Sequence, residues 1–514
     1  MEFPLLSALV YLPLVGALII LFVDKDKGNA IKSIAEVASG ASVVLSVFVW
    51  GLFDNSSGAM QFEERYSWIP MLGISYHLGV DGISMPMVFL TCLVSFLSIL
   101  YSRIINVRVK EYFALFLLLQ TACVGVFTAL DFFLFYIFWE VSLVPMYFII
   151  GIWGGPRREY AAIKFFLYTL VGSLLMLLAI IVLYFASAGP DGQRTFDIID
   201  MIQRQPGMRL APGLAMAVFI GFFVGFAIKV PSFPFHTWLP DAHVEAPTAG
   251  SVMLAGILLK LGSYGMLRVS LPLLPQQFAI AAPWVALLAL ISIVYGSLAA
   301  MAQSDLKKLI AYSSIGHMGF VTLGIAAMNV RGVEGAVMQM FSHGLLTSCL
   351  FLLVGVIYER AHVRDIDGFG GLGQIMPRYF GVFTFVAMGS LGLPALSGFF
   401  AELLVLLGAW ESGSYTALAP GIAALGTRWF AYSALAGVII TAAYMLWTVQ
   451  RIFMGERNEK WAKLPEINAL ELVCLAPLMA LSLFVGCYPI GLLRPIEAAA
   501  TFWQEHIYRM IGGL

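Results

Sequence analysis

Charge is what this sequence has least of. Only 11% of its 514 residues are Asp, Glu, Lys or Arg, against about 25% in soluble domains, and 60% are hydrophobic. That balance excludes a water-soluble fold and points to a polytopic, all-α membrane protein. A formal net charge of −1 leaves no basic footprint for nucleic acid. Cysteine is scarce too. Cys92, Cys123, Cys349, Cys474 and Cys487 stand singly, with no C-x-x-C pair, which argues against a metal centre, an iron–sulfur cluster or a disulfide framework. Basic residues are missing from the N-terminus, where a signal peptide needs them. No clear cleavage site precedes Asp24, so the first apolar run reads as a retained span. Long polar stretches are missing as well: the connections 53–81 and 187–210 are the longest, and neither has room for a catalytic fold. Gly368–Gly373 matches G-x-G-x-x-G, but it follows a charged loop rather than a strand. It is better explained as a glycine-rich loop before a span than as a dinucleotide site.

What the chain has in abundance is apolar runs of about 20 residues, the length that crosses a bilayer. Fourteen are expected, at about 4–22, 32–52, 82–101, 112–129, 132–152, 161–186, 211–230 with a continuation, 248–269, 279–301, 307–328, 334–357, 379–408, 430–453 and 469–491. The basic residues divide unevenly between the two sides. Seventeen fall on one set of loops and nine on the other (Arg65, Arg194, Arg204, Arg209, Arg268, Arg331, Arg428, Arg494 and Arg509), while Lys164, Lys229 and Lys260 lie in spans. The positive-inside rule then places both termini outside, with an interfacial piece beginning near Phe502.

The chain is organised around Gly225–Thr248, GFAIKVPSFPFHTWLPDAHVEAPT. Pro231 and Pro234 should break the seventh span just after Lys229. A break in lipid is tolerated where protein or a water-filled cavity covers the freed backbone groups. A second break is expected at GLPALSGFFAELLVL, with Pro394 just before Glu402, in the twelfth span. Two broken helices five spans apart are the expected mark of inverted repeats around a midplane site, although residue similarity between the halves is too weak to establish repetition. The organisation expected is an N-terminal three-helix segment at 1–110, five-helix repeats at 111–270 and 278–455, and a C-terminal helix with an interfacial tail at 464–514.

Four ionisable residues sit deep in apolar sequence: Glu140, Lys229, Lys260 and Glu402. Each is disfavoured by about 2.5–3.5 kcal/mol at a span centre. That cost points to selection for something other than folding, although a snorkelling lysine or a glutamate bonding a neighbouring helix is the plain alternative. Lysine out of water can take and release a proton near neutral pH, and a neighbouring carboxylate changes whether it does. Arginine does not deprotonate in proteins. His317 and His343, among hydroxyl residues, suit either a water-linked proton chain or bonds across helices. His236, Asp241, His243 and Glu245 could line an entrance or form a solvated loop.

These residues carry a resemblance. Lys229–Gly265 (KVPSFPFHTWLPDAHVEAPTAGSVMLAGILLKLGSYG), with FWEVSLVPMYFIIGIWGG upstream and SDLKKLIAYSSIGHMG downstream, resembles the proton-translocating membrane subunits of respiratory NADH:quinone oxidoreductase, complex I. Subunits of multisubunit sodium/proton antiporters belong to the same family. The resemblance implies fourteen helices with two inverted five-helix repeats and two discontinuous helices. It implies that Glu140 pairs with Lys229, that Lys260 and His317 continue the path, that His343 lies on the central polar axis, and that Glu402 ends the path toward the outside. Glu402 replaces the lysine usual in the L- and N-type chains and in the antiporter relatives. Those L- and N-type homologues, other membrane subunits and the lipid bilayer are the partners implied. No cofactor is expected in this chain; NADH, FMN, iron–sulfur clusters and quinone would be bound by partner subunits. The location implied is an energy-coupling membrane, such as a bacterial plasma membrane. The alternatives are a sodium/proton antiporter subunit or a non-transporting scaffold.

Overall fold

A computed structural model describes residues 3–189, 192–204, 208, 210–412 and 428–511, so Arg209 and the last three residues of the expected tail lie outside the described residues. The helices that matter for the site are α1 (Leu5–Phe22), α2 (Gly28–Leu52), α3 (Ser84–Tyr101), α4 (Val109–Thr128), α5 (Phe132–Trp153), α6 (Arg158–Ala186), α7 (Pro212–Lys229) and α8 (Trp238–Glu245). They are followed by α9 (Thr248–Leu273), α10 (Pro275–Met301), α11 (Leu306–Ala326), α12 (Val330–Ala361), α13 (Pro377–Ser390), α14 (Ser397–Glu411), α15 (Trp429–Phe453), α16 (Ala469–Cys487) and α17 (Ile490–Ile511). Thirteen of the described helices are long and apolar enough to cross a membrane. The fourteenth crossing is the pair α13 and α14. Its 14 and 15 residues are each too short for a hydrocarbon core of about 30 Å, and together they are long enough.

Local chemistry sets the ends. Pro212, Pro275 and Pro377 open α7, α10 and α13, where a missing N–H costs nothing. Asp131 and Asp305 accept the first free amides of α5 and α11, and Asn468 and Glu471 close a capping box on α16. The first break occurs where proline placed it, after Lys229, and the second spans 391–396 around Pro394. Gly392 adopts φ +80°, a conformation that favours glycine, at the second break.

Burial separates the spans into two classes. The spanning windows of α9 and α12 are wholly covered by protein and that of α11 almost so, whereas in α1, α2, α6, α15 and α16 most of the window is only partly covered or exposed. The covered helices form the interior on which the polar residues converge; the others present apolar side chains for lipid or neighbouring protein.

The long connection 53–81 holds a β-hairpin that composition did not disclose. β1 (Gln61–Ile69) pairs antiparallel with β2 (Ile74–Val80), with Arg65 opposite His77. Glu64 turns inward from the hairpin and accepts the amides of Leu6 and Ser7, capping α1 from 58 residues away. On the other face, buried His77 reaches Asp197 Oδ2 at 2.6 Å and Glu63 Oε2 at 3.0 Å, while Arg65 reaches Asp197 at 3.2 Å. Burial alone would lower the pKa of His77, but the carboxylates of Asp197 and Glu63 outweigh it and hold the value above the usual histidine range. Burial would likewise raise Asp197, and the His77 contact overrides it, so that carboxyl sits below its ordinary range.

The contribution of His77 is therefore full below about pH 6.5 and is lost as pH rises through its elevated native value. That of Asp197 is present above about pH 3.9 and is lost as pH falls through its depressed one. Amide protection of residues 195–198, corrected for intrinsic exchange, should decline on the alkaline side. His77→Gln should remove that decline and speed exchange roughly tenfold at neutral pH. Protection that is flat with pH in the unsubstituted protein would contradict this.

Candidate functional site

The first break is closed by protein rather than left open. Trp238 Nε1 donates to the Ile228 carbonyl at 2.9 Å, and the Phe233 amide donates to Ser292 Oγ at 2.9 Å. Gly262 of α9 packs against the end of α7: a methyl group there would lie 2.6 Å from the Phe226 carbonyl oxygen and 3.0 Å from Lys229 Cβ. This close approach brings Lys229 inside. Its Nζ lies 5.0 Å above the Trp139 ring and donates to Ser142 Oγ at 3.4 Å. Trp139 and Ser142 are three residues apart on α5 and so share one face. Glu140 lies about 100° round the helix from Trp139 and about 200° from Ser142. Accordingly Glu140 and Lys229, within electrostatic range of one another, form no ion pair in this conformation, and Glu140 Oε1 is buried with no hydrogen-bond partner. The direct pairing that the resemblance implied is absent here, for that angular reason.

Lys260 is completely buried on α9 between two π-helical stretches, Leu254–Leu258 and Met266–Ser270. A π turn is wider than an α turn and frequently occurs at functional positions. The Ala255 carbonyl, five residues back, accepts from Lys260 Nζ, which also lies 2.6 Å from His343 Nδ1. The His343 ring is centred 5.7 Å from that of His317. His317 Nδ1 is 3.2 Å from Glu402 Oε1 and 3.3 Å from Gln339 Nε2, and its Nε2 is 3.3 Å from Ser390 Oγ. Lys260, His343, His317 and Glu402 thus form one file, and each is at most 6% exposed. A cavity of about 10 Å3 lies among His317, His343, Gln339, Ser390 and Glu402, at the lower limit for one water. His343 and Gln339 line that cavity, and His343 Nε2 and Gln339 Oε1 are buried without a hydrogen-bond partner. The hydroxyls of Ser342, Ser397 and Ser482 form a branch at 2.8 and 2.9 Å.

Gln339, Ser342 and Ser390 were not singled out from sequence. Only Gln339, an amide deep in an apolar run, carried a signal that could have identified it. The groups after the first break do not form a solvated loop. Asp241 is ion-paired to Lys164 at 2.7 Å, Glu245 accepts the Arg157 amide at 3.0 Å, and His236 contacts Tyr295 at 3.4 Å. His243 is fully buried, stacked on Phe351 at 4.6 Å, with both ring nitrogens unpartnered. Beside them is a cavity of about 230 Å3 bounded by Glu245, Thr248, Lys307, Glu359 and Arg364. Lys307, expected as a loop charge, is buried, and its Nζ donates to the Ala246 carbonyl at 2.6 Å. Among the described residues no three His, Cys, Asp or Glu side chains converge so as to hold a metal ion. Chemically, the file can accept, hold and pass protons between a lysine, two imidazoles and a carboxylate.

Comparison with known proteins bears on the family and the fold. The family described as NADH:quinone oxidoreductase/Mrp antiporter, TM, matches residues 129–426. NADH-quinone oxidoreductase subunit M of Rhodobacter capsulatus is 44% identical, covering 99% of this chain and 98% of that one. Its counterpart from Rickettsia conorii is 43% identical over 96% and 97%. A chain of respiratory complex I from Thermus thermophilus, with bound NADH, superposes with a TM-score of 0.84 at 29% identity, covering 97% of this chain and 99% of that one. A chain of the archaeal membrane-bound sulfane sulfur reductase shares the fold, with a TM-score of 0.80 at 23% identity over 94% and 76%.

Proposed function

The chain belongs to the NADH:quinone oxidoreductase/Mrp antiporter membrane family, and from that premise we propose that it is the M-type proton-translocating subunit of an NADH–quinone oxidoreductase. NADH oxidation and quinone reduction take place in partner subunits, which hold the NADH, FMN, iron–sulfur clusters and quinone. Among the membrane partners are the L- and N-type homologues. The redox reaction biases the electrostatics at Glu140 and Lys229. A proton then moves through Lys260, His343 and His317 to Glu402 and leaves on the outer side of a bacterial plasma membrane, where both termini lie. Residues 111–270 and 278–455 act as the two inverted repeats, one holding each broken helix. The observation that carries this reading is the buried file of Lys260, His343, His317 and Glu402, held on the covered helices α9, α11 and α12 and on the inner face of α14.

The reading is tested by Glu402→Gln in the whole complex, purified and reconstituted into vesicles. The amide keeps the volume and cannot ionise, so protons moved per NADH oxidised should fall about tenfold or more while the subunits remain assembled. Undiminished pumping would refute the reading. Recovery of the chain without an NADH-oxidising arm would favour the antiporter alternative.

A further inference from the structure

At the hairpin end of the bundle a second buried ion pair lies outside the proton file. Asp81 and Arg268 are 0% and 1% exposed, and Arg268 Nη2 lies 2.6 Å from Asp81 Oδ1. Sequence alone counted Arg268 among the loop charges. The fold places it inside the second π-helical stretch of α9. Its guanidinium is packed between Tyr264 and Trp503, 5.4 Å from each ring centre. Each partner is itself fixed. Asp81 accepts the amides of Ile83 and Ser84 at 3.0 Å and Trp503 Nε1 at 3.1 Å. Arg268 Nε donates to the Tyr264 hydroxyl at 3.1 Å, and that hydroxyl donates to the Phe127 carbonyl of α4 at 3.1 Å. Burial alone would raise the Asp81 pKa, but the adjoining guanidinium outweighs it and keeps the carboxyl below its ordinary range, so the pair is ionic.

A helix containing two π turns has two places where its register can slip. A π turn that reverts to α geometry, or moves along the helix, rotates the segment beyond it by about 100°. The segment Leu259–Gly265, which includes Lys260, lies between the two π stretches of α9. Rotation of that segment would carry Lys260 away from the Ala255 carbonyl and His343. An arginine inside the second π stretch, ionically bound to the start of α3 and stacked on α17, opposes such a slip.

We infer that Arg268 is a positioning residue: tied to Asp81 and Trp503, it sets the register of α9 that holds Lys260 against His343. The inference rests on the reading of Lys260 as a proton carrier. It also links the C-terminal helix α17, through Trp503, to the proton file.

The test uses the complete complex in vesicles, with two readouts: amide exchange of residues 254–270, and the pH profile of protons moved per NADH oxidised. Removing one partner leaves a lone buried charge that can block assembly. The informative variant is therefore Asp81→Asn with Arg268→Gln, which removes both charges together; Arg268→Lys, which keeps the positive charge beside Asp81, is the control. In the double variant, exchange across 254–270 should rise about tenfold, and the alkaline limb of the profile should shift by about half a pH unit, a roughly threefold change in proton affinity. Arg268→Lys should restore most of both. A double variant that assembles with unchanged exchange and an unchanged profile would overturn the positioning role, whatever Lys260 variants do. Faster exchange with pumping insensitive to Lys260 itself would leave the register link intact and remove the proton-carrier reading on which the inference rests.

Discussion

Lys229→Ala should reduce coupled pumping by at least about 100-fold in a complex that still assembles. The amine is 1% exposed, and its named contacts are a tryptophan face and one hydroxyl. Neither contact is an ionic partner whose loss would leave a buried charge stranded, so the folding cost of removing it should be modest. The more telling substitution is Lys229→Arg. It keeps the positive charge and the cation–π contact with Trp139 but does not release its proton. If Lys229 acts by giving up a proton, arginine should fail as completely as alanine. If it serves only as a fixed charge, arginine should restore pumping. Protons moved per NADH oxidised in reconstituted vesicles separates the two, and full pumping by the arginine variant would reject proton transfer at this position.

Lys260→Met should have an effect of similar size for a different reason. Lys260 joins the π-helical stretch of α9 to the histidines of α12 and α11. Methionine preserves the apolar stem and removes the amine, leaving the Ala255 carbonyl and His343 Nδ1 without that partner. Two losses are expected: pumping should fall by about 100-fold, and the assembled complex should lose stability by about 1–3 kcal/mol through unsatisfied buried groups. His343→Ala should reproduce the first loss less completely, because Lys260 would still be anchored at Ala255. Pumping by Lys260→Met at the rate of the unsubstituted complex would break the file at its centre.

How much of this was legible beforehand depended on how local each signal was. Proline and glycine act on their own turn, so the breaks at Pro231 and Pro394 could be placed from sequence, and the structure puts them there. Lys260 and Glu402 were recognisable as costly charges in apolar runs, and His317 and His343 as histidines among hydroxyl residues; the structure brings the four together. Glu140 and Lys229 show the limit of the same reasoning. Both were identified as intramembrane charges, yet whether they touch depends on the rotation of α5 about its axis, which packing against α4 and α6 sets. The hairpin was missed because Glu63, Glu64 and Arg65 interrupt the alternation of the first strand, where the register also shifts, so the connection reads as polar. Lys307 and Arg268 were assigned to loops because charge counting cannot see that the surrounding protein covers them.

Composition and local punctuation were enough to require a helical membrane bundle with two interrupted spans and ionisable groups at depth, because the cost of charge in hydrocarbon and the missing amide of proline need no partner to act. The file from Lys260 to Glu402, the separation of Glu140 from Lys229 and the Asp81–Arg268 tie needed the assembled helices. Each is a distance between groups far apart in the chain, set by which helix faces pack together.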